Sequence, residues 1–279
     1  MINADMHTHS SFSGDSETPM EDQLTEAIRL GLKHYCFTDH EDLYYPEIQD
    51  DNGNPVNIFS LDIPEYLNKI KELKAAYKDK INVLTGIELG LCKKALPEYE
   101  TLLKSNNFDF VIASIHLIDG MDPYYPEFWL YHDSKKAVRR YFEIMSEMIN
   151  NFTDFDTLGH LDYIFRYIRD EAGNPGEGNY SYREYAGLID PILNRIIELD
   201  KALEVNTAGY KYGLGSPNPQ ANVLKRYKKL GGTKITIGSD GHKPEHLAYD
   251  FDKCEALLKE LEFDGYYIFE NRKPIKISF

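Results

Sequence analysis

Histidine, glutamate and aspartate side chains recur along the chain in short motifs that could hold metal ions. His7 and His9 are separated by one residue, and alternate residues of a strand point the same way, so both imidazoles can bind one ion. Six further candidate ligands follow them: His40, Glu88, His116, His160, Asp240 and His242. Imidazole and carboxylate groups gathered in one place are costly to bury without cations. The set therefore predicts a metal-dependent site.

Each candidate ligand lies at or just after the end of a predicted strand. The strand candidates, rich in Val, Ile, Phe and Tyr, are residues 2–7, 34–38, 81–89, 108–114, 157–161, 202–206 and 234–238. His160 falls on the fifth of them, whereas His40 and His116 come directly after the second and the fourth. In a parallel barrel the carboxyl ends of all strands meet on one face, where such enzymes build their active sites.

Amphipathic helical patterns separate these strands. They cover residues 19–30, 63–77, 134–149, 182–199, 219–230 and 250–261. Several strands are nearly continuous apolar runs, which is typical of strands that are buried on both faces. Seven strand–helix units in 279 residues favour an α/β fold in which one closed or nearly closed parallel barrel forms a single domain over residues 1–279.

Three segments are predicted to be loops. Residues 44–59 and 119–132 are long and aromatic, so we expect lids or substrate loops whose tyrosines form the walls of a pocket. Residues 170–181 are rich in glycine and could link two domains. Because the strand–helix pattern continues beyond them, we expect one domain.

The charge balance argues against several classes of partner. The chain has 31 basic and 46 acidic residues, a net charge of −15, which repels nucleic-acid backbones and anionic membranes. It shows no apolar run as long as a membrane span and no signal-peptide pattern at its start. Cys36, Cys92 and Cys254 are widely spaced, which indicates a reducing compartment rather than a disulfide framework. We expect a cytoplasmic protein with a small-molecule substrate and make no prediction of its oligomeric state.

Six motifs, in this order along the chain, resemble those of the PHP (polymerase and histidinol phosphatase) family. They are "DMHTHSSFSGDS", "FTDH", "GIELG", "ASIH", "GHLD" and "GSDGH", and they extend from residue 5 to about residue 246. The pieces "SIHLIDG", "GHLDYIFRY" and "EVNTAGYKYG" are most similar to the histidinol-phosphate phosphatase branch of that family. The resemblance implies the PHP fold, a distorted (β/α)7 TIM-like barrel.

The resemblance also implies a site for three divalent metal ions. The first ion would be held by His7, His9, Glu88 and Asp240. The second would share Glu88 and take His116 and His160. The third would take Asp15, His40 and His242, with Asp15 standing where some relatives have a histidine. This mixture of nitrogen and oxygen ligands suits Zn, Mn or Fe, and the sequence does not choose among them.

The implied reaction is hydrolysis of L-histidinol phosphate to L-histidinol and phosphate, a step of histidine biosynthesis. A hydroxide that bridges two metals would attack phosphorus, because a bound divalent ion lowers the pKa of water to about 7. Glu88, Asp240 and His242 are the catalytic residues that the resemblance implies. His242 or Asp240 could protonate the leaving alkoxide, and a metal-bound water could do so as well.

Substrate contacts are predicted at three further positions. Arg166 could bind a phosphate through its guanidinium, or it could be an exposed arginine on a helix. Lys211 stands where family members often carry an arginine, and a lysine offers a point charge rather than a bidentate clamp. Asn206 could line the pocket or complete a turn.

Three other functions remain open at this point. The same metal motifs would serve a PHP phosphoesterase that acts on nucleotides, oligonucleotides or another small phosphate ester. A metal-binding protein without catalysis would also contain them. A metal-dependent amidohydrolase shares the His-x-His opening and the barrel, although "GSDGH" and Glu88 fit the phosphatase better.

Overall fold

Parallel strands surrounded by helices position the predicted ligands. The computed structural model describes residues 1–49, 52–168 and 180–279. Within these residues seven parallel strands pair in chain order: β1 (Ala4–Asp5), β2 (His34–Phe37), β3 (Asn82–Gly90), β4 (Phe110–Ser114), β5 (Thr157–Leu158), β6 (Ala202–Asn206) and β7 (Ile235–Gly238). Backbone bonds from Met6 N–H to Ile237 O (3.0 Å) and from Asp240 N–H to His7 O (2.8 Å) join the first strand to the last. The sheet is thus a nearly closed barrel, which confirms the predicted distorted (β/α)7 fold.

The apolar composition of the strands explains why they lie at the centre. All five residues of β4 and all five of β6 are buried. The helices around the barrel cover the outer face of each strand, while the inner face packs against the other strands. A short segment, His40–Glu41, extends the second strand and pairs with Glu88–Leu89 of β3. That register places His40 directly beside Glu88.

The helices agree closely with the amphipathic patterns. The six predicted helices are confirmed, with ends that differ by at most two residues. In the described residues the α-helices are Met20–Arg29, Ile63–Tyr77, Leu96–Ser105, Pro126–Tyr131, Ser134–Asn151, Tyr182–Glu198, Ala208–Lys211, Ala221–Lys229 and Phe251–Glu260, and Tyr163–Arg166 and Pro244–His246 form 3₁₀ turns. Asp62 and Asp133 cap two of the helices by accepting the backbone N–H of Glu65 (3.0 Å) and Lys136 (2.9 Å). No helix in this part of the chain is long and apolar enough to cross a membrane.

The fifth strand is shorter than the sequence predicts. It ends at Leu158, so His160 lies beyond the strand and not on it. The physical reason is a change of partner: the backbone N–H of His160 donates to the Glu204 carboxylate (2.6 Å) instead of continuing the ladder with a neighbouring strand.

The two aromatic segments contain regular structure that the sequence did not predict. Residues 119–132 include the helix Pro126–Tyr131, and residues 44–59 include a short antiparallel pair, Ile48–Gln49 with Pro55–Val56. Most of the glycine-rich segment 170–181 lies outside the described residues.

A C-terminal hairpin that the sequence also did not predict covers the amino-terminal end of the barrel. Its strands are β8 (Gly265–Glu270) and β9 (Lys273–Ser278). At its turn, Arg272 donates to Asp156 (2.5 Å), which directly precedes β5, and the backbone N–H of Asn271 donates to Asp109 (2.9 Å), which directly precedes β4. The opposite, carboxyl-terminal end of the barrel stays open.

Replacing Asp109 by asparagine is expected to lower the free energy of unfolding by about 1–3 kcal/mol at pH 7. Asp109 accepts hydrogen bonds from Lys74 Nζ (2.6 Å) and from the backbone N–H of Thr85 and Asn271 (2.9 Å each). Burial opposes its charge, but Lys74 and these amides lower its pKa. Because the pKa is lower in the folded state, the stabilisation is complete above the unfolded value of about 3.9 and is lost as the pH falls through the folded value.

Urea unfolding at a series of pH values checks this prediction. The difference between wild type and D109N should be constant near neutrality and should narrow as the solution becomes acidic. Asp79→Asn, an exposed aspartate after the helix Ile63–Tyr77, serves as the control. A difference between wild type and D109N that does not change with pH would contradict the role given to the Asp109 charge.

Candidate metal centre

The carboxyl-terminal ends of the strands surround a cavity of about 650 Å³. His7 and His9 follow β1 and are completely buried, and both imidazoles project to the inside because they are alternate residues of an extended chain. Glu88 lies near the end of β3, and Asp240 follows β7. The structure therefore brings residues that are far apart in sequence to one face of the barrel, as the strand pattern predicted.

The first predicted ligand set converges on one point. His7 Nε2 lies 3.0 Å from His9 Nε2 and 3.2 Å from Glu88 Oε2. Glu88 Oε2 is 3.5 Å from His9 Nε2. Asp240 Oδ1 lies 3.5 Å from His9 Nε2 and 4.0 Å from His7 Nε2. Two imidazole nitrogens and two carboxylate oxygens thus face one another across distances that a shared cation could fill.

The second and third sets are also assembled. Glu88 Oε1 lies 3.3 Å from His116 Nε2 and 3.0 Å from His160 Nε2. Asp15 Oδ2 lies 3.0 Å from His242 Nε2 and 3.7 Å from His40 Nε2. Glu88 therefore directs Oε2 toward the first set and Oε1 toward the second, and its role as a shared ligand stays a prediction.

The chemistry of these donors fits divalent metal ions. Glu88 Oε2 and His40 Nδ1 are buried and form no hydrogen bond within the described residues, although the two atoms lie only 3.0 Å apart. Several groups of three residues bring possible ligand atoms within 4.8 Å of one another. Nitrogen and oxygen donors of this kind suit Zn, Mn or Fe. The residues present therefore fit a metal centre.

The electrostatics keep the carboxylates charged and one central imidazole neutral. Burial would raise the pKa of Glu88, but the surrounding imidazoles, His7 first among them, hold it well below its usual range. Burial also opposes the charge of Asp240, whose pKa is held well below its usual range by His7 and Arg166. Burial and neighbouring imidazoles lower the pKa of His9 well below its usual value. Anionic oxygens and a neutral imidazole are the forms that bind metal ions.

Buried acids that the sequence analysis missed hold the outer nitrogens of the histidines. Glu204, on β6, lies 2.5 Å from His7 Nδ1 and accepts the backbone N–H of His160. Asp42 Oδ2 lies 2.6 Å from His116 Nδ1. Such partners fix the tautomer and direct Nε2 toward the metal. The available signal was an acid inside the apolar strand "ALEVN", which needs a partner to be buried.

Replacing Glu204 by glutamine is expected to weaken metal affinity about 10–100-fold. An amide cannot accept through both of its polar atoms, so either His7 Nδ1 or the backbone N–H of His160 would lose its acceptor. Chelator competition during metal titration measures the affinity. Glu260→Gln, at the exposed end of the helix Phe251–Glu260, is the control. Unchanged metal affinity in E204Q would show that Glu204 does not orient His7.

The predicted substrate residues lie in different environments. Arg166 is buried on a 3₁₀ turn and lines the cavity, so of the two alternatives the exposed helix arginine is wrong, and contact with a phosphate stays a prediction. Its Nε, Nη1 and Nη2 donate to Asn218 (2.8 Å), Asp240 (2.8 Å) and Asn206 (2.9 Å). Lys211 also lines the cavity, with Nζ 3.3 Å from the Asp240 carbonyl.

Asn206 lies behind Arg166. It is completely buried, and its Oδ1 accepts both Arg166 Nη2 and the backbone N–H of Ala208 (3.0 Å). The structure thus places it where it orients the guanidinium and begins the turn after β6. Direct contact between Asn206 and a substrate stays a prediction.

Three tyrosines of the aromatic segments, Tyr45, Tyr124 and Tyr125, line the cavity. Tyr44 does not; it is 54% exposed and donates its hydroxyl to Glu98. The aromatic segments therefore supply part of the cavity wall.

Comparison with known proteins agrees with this geometry. Residues 5–208 match the model of the PHP domain. Histidinol-phosphatase of Lactococcus lactis is 34% identical over 99% of this chain and 100% of its own length. The crystal structure of histidinol phosphate phosphatase from the same organism, complexed with Zn, L-histidinol and phosphate, has a TM-score of 0.87 and 33% identity over 98% of this chain and 99% of that one. A structure from Listeria monocytogenes, at 20% identity and a TM-score of 0.76 over 90% of this chain and 99% of that one, is similar in fold alone. With its family model, a whole-length relative and its barrel in agreement, the chain belongs to the PHP domain family.

Proposed function

We propose that the protein is a metal-dependent phosphomonoesterase that hydrolyses L-histidinol phosphate to L-histidinol and phosphate in histidine biosynthesis. The observation that carries the proposal is the whole-length similarity to a histidinol-phosphatase whose structure contains Zn, L-histidinol and phosphate. The convergence of imidazole and carboxylate groups in the cavity supports it. A single domain over residues 1–279 and a cytoplasmic location belong to the same proposal.

The ligands proposed for three divalent ions are the three sets described above. His7, His9, Glu88 and Asp240 would hold the first ion, Glu88, His116 and His160 the second, and Asp15, His40 and His242 the third. When bound, such ions neutralise phosphoryl oxygens and make a water nucleophile available near neutral pH. The Zn in the Lactococcus structure supports Zn as the metal bound by this protein, while Mn and Fe also suit the same donor atoms.

Charged side chains at the edge of the site would bind and orient the phosphate. Arg166 has five N–H groups, of which three are used by protein acceptors, so two remain for phosphoryl oxygens. Lys211 adds a second positive charge beside Asp240. Both would hold the ester so that the leaving oxygen points away from the metal ligands.

The two candidates for the proton donor differ in their hydrogen bonds. Asp240 has a pKa held well below its usual range, so it carries no proton at neutral pH. His242 Nδ1 donates to the Asp240 carbonyl (3.0 Å), so Nε2, which lies 3.0 Å from Asp15 Oδ2, is the nitrogen that could bind a metal ion. That arrangement suits His242 as a ligand, and we assign the proton for the leaving alkoxide to solvent in the cavity.

The alternative, a phosphoesterase for nucleotides or oligonucleotides, is not favoured. A relative that matches 99% of the chain is named for a small amino-alcohol phosphate, and a net charge of −15 repels longer nucleic acids.

Phosphate release from a panel of esters tests the proposal. The protein is reloaded separately with Zn, Mn or Fe and offered histidinol phosphate, sugar phosphates, nucleoside monophosphates and a short oligonucleotide. We expect the wild type to hydrolyse histidinol phosphate in strong preference to the other esters. We expect the activity itself to be lost in His7→Ala. Equal or greater activity on another ester, also lost in His7→Ala, would keep the metal chemistry and overturn the substrate.

A further inference from the structure

The cavity is lined by positively charged side chains and by a carboxylate that come from different connections. Arg166 and Lys211 come from the connections after β5 and β6, and both bond to Asp240 after β7. Asp122 comes from the connection after β4, and its partner Tyr45 from the connection after β2. All of these side chains line the same cavity. The same cavity therefore contains two positively charged side chains, which contact Asp240, and a separate carboxylate, which neither of them contacts.

Asp122 has hydrogen-bond donors but, within the described residues, no ion-pair partner. Its Oδ2 accepts the hydroxyl of Tyr45 (2.6 Å), and its Oδ1 accepts the backbone N–H of Tyr124 (2.7 Å). In the part of the chain that the structure describes, no lysine or arginine lies within ion-pair distance of it. Burial raises the pKa of this carboxyl, and the Tyr45 hydroxyl, the Tyr124 amide and His116 offset that rise only in part. A cation in the cavity would supply the remaining compensation.

Aromatic rings connect Asp122 to the metal centre. The Tyr45 ring lies 4.6 Å from that of Phe59, and the Phe59 ring lies 5.0 Å from that of His40, each pair with edge-to-face geometry. On another wall, Tyr163 lies 5.6 Å from His116. Such rings accommodate a flat, nitrogen-bearing ring and attract cations through their faces. The space between the metal ligands and Asp122 is therefore suited to the organic part of an ester.

We propose that Asp122, held in place by the hydroxyl of Tyr45, binds a protonated nitrogen of the leaving alcohol and so selects phosphate monoesters of nitrogen-bearing alcohols. The inference rests on the proposed function and names the residue that sets its substrate class. Arg166 and Lys211 would bind the anionic end of the same molecule. The protonated nitrogen is either the ammonium or the imidazolium of the alcohol, and the experiment separates the two.

The test compares wild type with Asp122→Asn on four esters. They are histidinol phosphate, imidazolylpropyl phosphate without the amino group, aminopropyl phosphate without the ring, and phenylpropyl phosphate without either nitrogen. In D122N we expect the ratio of kcat/KM for histidinol phosphate to that for phenylpropyl phosphate to fall about 10–100-fold, because hydrogen bonds to charged groups contribute that much. The same ratio of kcat/KM is measured for the ester with only the imidazole and for the ester with only the amino group, each against phenylpropyl phosphate. The ester whose ratio also falls in D122N contains the nitrogen that Asp122 binds.

Product inhibition gives an independent readout. The inhibition constant of L-histidinol should rise at least about tenfold in D122N, while that of inorganic phosphate should stay within about twofold. Asp119→Asn is the matched control, since Asp119 belongs to the same connection but is exposed and paired with Arg140. Asparagine also tolerates the positive φ of 49° at that position.

The outcomes separate this inference from the proposed function. A wild type that hydrolyses sugar phosphates or nucleotides better than histidinol phosphate would overturn the proposed function. The wild type could prefer histidinol phosphate to sugar phosphates and nucleotides and yet hydrolyse phenylpropyl phosphate as well as histidinol phosphate. That result would overturn the Asp122 inference without any variant. Unchanged discrimination and unchanged inhibition by L-histidinol in a folded D122N would overturn it as well.

Discussion

Replacing Glu88 by glutamine is expected to lower kcat/KM for phosphate-ester hydrolysis by at least about 10³-fold, since a metal ion supplies several kcal/mol of stabilisation to the transition state. Glu88 directs Oε2 toward His7 and His9, and Oε1 toward His116 and His160. Glutamine has the same shape but only one acceptor oxygen and no charge. It can serve one of the two ligand sets at most, so the content of bound metal should fall together with the activity.

Elemental analysis of purified protein and phosphate release from histidinol phosphate measure the two effects. Glu41→Gln is the matched control: Glu41 is the neighbouring buried carboxyl, its Oε2 accepts the backbone N–H of Leu61 (2.5 Å), and burial raises its pKa to about 7. It belongs to none of the three ligand sets, and glutamine keeps the acceptor for Leu61. Full metal content in E88Q would show that the carboxylate does not bridge the first two sets.

Local sequence pattern is sufficient to predict that most of the candidate ligands lie together at one end of the barrel. Alternation along a strand places His7 and His9 on one side, and the parallel arrangement brings Glu88 and Asp240 to the same face. These inferences need only the order of the elements and the direction of each strand. The fold class and the six predicted helices follow from the same periodicities.

The partners of those residues could not be predicted, because they depend on side-chain positions across the barrel. Glu204 contacts His7 although the two are 197 residues apart in sequence, and Asp42 contacts His116 although they are 74 residues apart. The early end of β5 depends on Glu204 as well. The C-terminal hairpin turns at Asn271 and Arg272, both with positive φ and neither a glycine, so the usual turn signal is missing.

Replacing Arg166 by lysine is expected to lower kcat/KM about 10²-fold and to raise the inhibition constant of inorganic phosphate in parallel, with metal content unchanged. One ammonium group cannot reproduce the three bonds to Asn218, Asp240 and Asn206 while also presenting two further N–H groups to a phosphate. The guanidinium also lies over the rings of Tyr163 (5.3 Å) and Tyr212 (5.0 Å), which hold its plane in the cavity wall. A lysine would keep the charge and lose that orientation.

The comparison of phosphate inhibition with metal content distinguishes two ways in which Arg166 could act. Arg166 contacts Asp240 Oδ2, while Asp240 Oδ1 faces His9 and His7, so the guanidinium could act only by fixing the carboxylate. In that case R166K would lose metal and bind phosphate as tightly as wild type once reloaded, contrary to our expectation. Arg226→Lys, which changes a surface pair with Asp190, controls for the substitution itself. A rise in the inhibition constant at full metal content would show that Arg166 itself contributes to phosphate binding, because the metal ligands then stay in place.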